Sequence, residues 1–167
     1  MFRRLRYLWA FLLAASAAVL LRGLYIALPC PATAVLSPIC QSPWELSKLV
    51  YWPYLCGALL LWRLSPPETA RQGEYCASAL GASILMILLC RCLRDILPLH
   101  GIFCLSVWGG MALRVLLPRR VLQGSGSLWY LLAAFWGAAY LLLTALPPRA
   151  GIFLDPRDVS AMAPIPF

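Results

Sequence analysis

The 167-residue chain is 62% hydrophobic and 12% charged and carries a net charge of +8, whereas soluble domains average about 45–50% apolar and about 25% charged residues. This balance excludes an ordinary water-soluble globule. The basic residues stand at the ends of apolar runs rather than in an aromatic-interleaved stripe, which argues against a nucleic-acid partner and for interfacial anchoring.

The fold class this implies is all-α, a polytopic transmembrane helical bundle of about five spans joined by short loops. The first span is expected over about residues 7–28, behind a basic start at Arg3, Arg4 and Arg6. That start, followed by Ala32-Thr33-Ala34, also fits a secretory signal with its cleavage pattern. The apolar run is longer than most signal cores, so an uncleaved span is expected. A loop broken by Pro29, Pro31 and Pro38 follows.

Span two is expected over about 46–64, with Trp44, Tyr51, Trp52 and Tyr54 as an interfacial aromatic group at its start. Spans three and four cover about 75–93 and 96–117. The break between them, Arg91 to Pro98, is so short that they should form a tight antiparallel hairpin. Span five covers about 127–147. Each run is near the roughly 20 residues that cross about 30 Å of hydrocarbon. The runs are continuous rather than alternating, which argues against a membrane β-barrel. Residues 1–147 thus form one transmembrane domain. Residues 148–167 form an extramembrane tail, in which Asp155–Asp158 reads as a surface turn and the apolar end is expected to pack on a neighbouring protein.

Small residues recur four apart at Ala14 and Ala18, Ala77 and Gly81, Ser106 and Gly110, and Ala133 and Gly137, a spacing that lets helices approach closely. Five spans place eight of the fourteen basic residues on the N-terminal side, here side A, and six on side B. The N-terminus is therefore expected toward the cytosol or matrix.

The residues that invite a functional reading are few. Arg22, Arg91, Asp95, His100 and Arg114 lie within or at the ends of spans, where ionisable groups contact lipid headgroups, pair, or serve a transport path. Arg91 and Asp95 would pair if the helix continued through them. His100 is the only histidine and is expected to bridge helices. It could ligate haem or hold a quinone only with a partner subunit supplying the rest of the site. Cys30 and Cys40, with nine residues between them, are a candidate disulfide if side B is oxidising, the alternative being free thiols. No Cys-x-x-Cys occurs, which argues against zinc and against a thiol-redox centre. No catalytic or metal-binding motif stands out, and bound phospholipid is the expected ligand.

The five-span plan and length resemble the sixth core membrane subunit of respiratory complex I. That family carries Tyr-Val-Gly-Ala in its third span, and here Ala79-Leu80-Gly81-Ala82 stands at that place without the tyrosine. The resemblance implies an energy-converting membrane such as the mitochondrial inner membrane, in preference to the endoplasmic reticulum or plasma membrane. The expected function is that of a non-catalytic structural or accessory subunit of a larger membrane complex, with other membrane subunits and lipid as partners. The alternative is a subunit or small carrier that translocates protons, electrons or a solute.

Overall fold

The computed structural model describes residues 16–64, 72–116, 126–148 and 151–154. These residues are all-helical, with no strand among them. Six helices are numbered here in chain order: α1 (Ser16–Ala27), α2 (Pro31–Leu36), α3 (Pro43–Leu64), α4 (Gln72–Leu93), α5 (Leu99–Leu116) and α6 (Gly126–Ala145). Ala14, the basic start and the Asp155–Asp158 turn lie outside the described residues.

Local chemistry sets the helix starts. Ser42 caps α3: its hydroxyl accepts the Glu45 N–H at 3.2 Å, and Pro43 occupies the first helical position, where a missing N–H costs nothing. The helix therefore begins at Pro43, ahead of the first unbroken apolar run. Pro98 precedes α5, and its carbonyl accepts from Gly101 at 2.9 Å and Ile102 at 3.2 Å. The loop after α1 contains a helix that its prolines concealed. Pro31 opens α2, and the Thr33 hydroxyl accepts the Cys30 N–H at 3.1 Å while facing the carbonyls of Leu28 and Cys30.

Helix α4 is the centre of the assembly and packs against α3, α5 and α6. Over Tyr75–Leu93, 56% of the stretch is buried, against 22% for Ser127–Ala145 of α6, so α6 lies on the outside. These two helices are long and apolar enough to cross a membrane. Helices α4 and α5 run antiparallel around a turn at 94–98, with Ser106 against Met86 and Gly110 against Ala82.

Several polar side chains lie inside the bundle, and many large apolar ones lie on its surface. Ser42, Ser47, Lys48, Ser78, Ser83, Ser106 and Thr144 are buried. Large apolar side chains face outward on four helices: Leu20 on α1, Leu88 on α4, Trp108 on α5, and Leu131, Phe135 and Leu142 on α6. Phe135 is 71% exposed and Leu20 75%. A water-soluble bundle would turn these faces inward.

The α4–α5 seam is the closest approach of two helices. A Cβ added at Gly110 would stand 2.6 Å from the Ala82 Cβ and 2.9 Å from the Ser78 carbonyl oxygen, neither of which can move without moving α4. At Gly81 and Gly109 the obstructing atoms are the ends of Leu113 and Leu85, which can change rotamer. Gly110→Ala should therefore destabilise the protein by about 1–3 kcal/mol through overpacking. Gly109→Ala should cost less than about 1 kcal/mol. Thermal unfolding in detergent measures both, and equal losses would show that the seam is not sterically limited at Gly110.

Candidate functional site: a buried ion pair and its polar seam

Helix α3 meets α6 through side chains rather than close backbone contact. The two helices are antiparallel, and polar rungs join them in order. Lys48 Nζ donates to Thr144 Oγ1 at 2.6 Å, Ser47 Oγ and Tyr140 Oη are 2.6 Å apart, and Tyr51 Oη donates to the Ala133 carbonyl at 2.6 Å. Gly137 of α6 faces the Tyr51 hydroxyl and the Trp52 ring, where an added Cβ would stand at ordinary contact distance, 3.5 Å from each.

The first rung belongs to an ion pair. Lys48 Nζ lies 2.7 Å from Glu45 Oε1 and 2.8 Å from Oε2, and it also donates to the Ala34 carbonyl at 3.1 Å. Three partners, Glu45, Thr144 and Ala34, match the three protons of an ammonium group. Lys48 is 0% exposed and Glu45 7%. The carboxylate also accepts the Ile39 N–H at 3.0 Å, which fixes the loop before α3.

Both charges sit at favourable helix ends. Glu45 is in the first turn of α3, where the unpaired N–H groups are, and the Lys48 ammonium caps the C-terminal carbonyls of α2. The Trp52 indole completes that cap by donating to Val35 at 3.2 Å.

An aromatic group surrounds the pair. Trp44 packs on Tyr140, Trp136 and Phe153 with ring centroids 4.8, 5.5 and 5.2 Å apart. Trp44, Tyr51 and Tyr54 are buried and belong to the core of the bundle.

The residues singled out from sequence fall elsewhere. Arg22 is exposed on α1. Arg91, Asp95 and His100 gather around the α4–α5 turn, all exposed. Helix α4 stops at Leu93, so the four-residue spacing of Arg91 and Asp95 is not helical, and the ion pair among the described residues is Lys48–Glu45. His100 sits exposed in the first turn of α5 and has no hydrogen bond to another helix among the described residues. Arg94 instead ties the turn to the loop before α3, donating to the Gln41 carbonyl at 2.8 Å and Oε1 at 3.1 Å. Arg114 lies in α5 with its side chain outside the described residues.

Cys30 and Cys40 are free thiols. The Thr33 hydroxyl beside the Cys30 thiol lowers its pKa below the ordinary value. Among the described residues, no three His, Cys, Asp or Glu side chains converge as a metal site.

The pair that sequence reasoning missed carried two signals. One is Ser42-Pro43-Trp44-Glu45, a helix-start signature. The other is the only lysine of the chain, three residues after that glutamate. Compared with known proteins, the chain matches no family model, no curated protein and no solved structure.

Chemically, the arrangement is closed. Every ammonium proton is committed, so Lys48 has no donor left for a ligand. Lys48→Met should destabilise the protein by about 3–5 kcal/mol, because it strands the Glu45 carboxylate. The double change Glu45→Gln with Lys48→Met should recover at least half of that loss. Unfolding of the two variants in detergent gives the comparison, and a double variant as unstable as the single one would rule out a stranded charge as the cause.

Proposed function

We propose that the chain is a polytopic membrane protein of about five spans that acts as a non-catalytic structural or accessory subunit of a larger membrane complex. The observation that carries the membrane part is the apolar outer surface of the bundle. Lipid-facing helices need no polar outer face, and polar groups in hydrocarbon must be satisfied internally. The outward faces of α1, α4, α5 and α6 supply the first condition and the α3–α6 seam the second.

The assembly part is supported by what the polar groups do. The buried ion pair is consumed in holding α2, α3 and α6 together, and Asp95 and His100 stand exposed at a helix turn rather than along an interior path. This favours a structural role over translocation of protons, electrons or a solute. Apolar outer faces on nearly every helix suit contact with phospholipid and with other membrane subunits. An energy-converting membrane is the host favoured by the resemblance of the third span.

The protein should remain in the membrane after alkaline carbonate, and after mild detergent it should run on native gels with other polypeptides, well above its own 18.5 kDa. Release by carbonate would overturn the membrane reading. A monodisperse chain that transports a solute in liposomes would overturn the subunit reading.

A further inference from the structure

The end of the bundle that holds Glu45 and Lys48 is closed by a segment distant in sequence. Helix α6 ends at Ala145, and Gly151–Leu154 lies against the start of α3. The Ile152 carbonyl accepts the Trp44 N–H at 3.2 Å. That N–H is one of the first-turn donors that a helix cannot pair internally, so the segment supplies a remote cap. Phe153 packs on the outer face of Trp44, at 5.2 Å between centroids and 43° between planes. Gly151 passes beside Arg91, where an added Cβ would stand 3.3 Å from Nη1.

The attachment is short. Among the described residues it comprises one backbone hydrogen bond, the ring contact, and the half-buried Ile152 and Phe153 packed against the core, with Gly151 and Leu154 exposed at its ends. The closed form also carries a standing penalty: Trp44 is 5% exposed, yet its indole Nε1 has no hydrogen-bond partner. A short, half-exposed attachment beside a buried unpaired donor describes an element that opens locally before the helices part.

We infer that Gly151–Leu154 is a dissociable strap that closes the α3 end of the bundle over Trp44 and the adjoining Glu45–Lys48 pair. Its opening uncaps α3 and frees the Trp44 indole to find an acceptor, while α4 and α5 stay packed. The inference stands on the α3–strap contact and does not depend on the role of the bundle.

Amide exchange of the full-length protein in lipid nanodiscs, followed residue by residue, tests it. In the wild type the Trp44 amide should exchange at least tenfold faster than the Ala79–Met86 amides of α4. Phe153→Ala should speed it at least tenfold more, and α4 should not change. Gly151→Val, which crowds Arg91 and leaves Phe153 in place, should move Trp44 in the same direction. A Trp44 amide as slow as α4, or unmoved in both variants, overturns the inference. So does maleimide reaction of the buried Cys76 and Cys90 in Phe153→Ala, because the segment would then be core packing and not a strap.

Discussion

The ammonium group of Lys48 constrains the rest of the structure more than any other group. Taking it out of water costs several kcal/mol even after relaxation, and the charge is tolerated only where its protons are all met. Its partners come from three elements, Glu45 on α3, Thr144 on α6 and Ala34 on α2. None of these can withdraw without leaving a buried donor unmatched. Glu45 extends the constraint to the loop through Ile39, and Arg94 anchors the same loop to the α4–α5 turn through Gln41. The short helix α2 exists within this web. Six residues would not hold a helix alone, but its carbonyl end is met by a cation and an indole.

The two halves of the bundle cohere by different physics. Between α4 and α5 the contact is steric: Gly110 admits the Ala82 and Ser78 backbone, and Ser106 reaches Met86 Sδ at 3.3 Å. Between α3 and α6 the bulk of Trp44, Tyr51 and Tyr140 holds the backbones apart, and hydroxyl and ammonium groups bridge the gap. In a lipid setting each such bond contributes about 0.6 kcal/mol on average. The value of the set lies in its arrangement. Tyr51 reaches a backbone carbonyl, Tyr140 a serine and Lys48 a threonine, at three levels of the same seam.

The helices were legible in the sequence because unbroken apolar runs with proline, glycine and charge between them have few other solutions. What was less legible was where the runs begin. Apolarity alone starts the second run at Leu46, but a helix starts where its N–H groups are capped, and Ser42 with Pro43 does that three residues earlier. The shift matters because it takes Trp44 and Glu45 out of a loop and into the first turn of α3. Lys48 read as one more charge at a span end because its partners, Ala34 and Thr144, are 14 and 96 residues away. No local pattern in one sequence encodes that distance. Asp95 and His100 attract notice as ionisable groups near an apolar run; both are exposed beside the α4–α5 turn.

On the proposed membrane reading, a small apolar bundle retains a buried ion pair because of the lipid solvent around it. Leucine against leucine and leucine against a lipid tail are nearly equivalent, so apolar faces do little to choose one rotation or register of a helix over another. The rungs from Lys48 to Tyr51 do choose. Sliding α6 by one turn, about 5.4 Å, would separate every rung at once and leave a bare ammonium and carboxylate in the interior. Hydrophobic residues of the same volume could match the stability but not the selectivity. The pair is therefore best understood as the element that sets how α3 and α6 meet. A fixed register there gives the outer face of α6, with Leu131, Phe135 and Leu142, a defined shape to present to its surroundings.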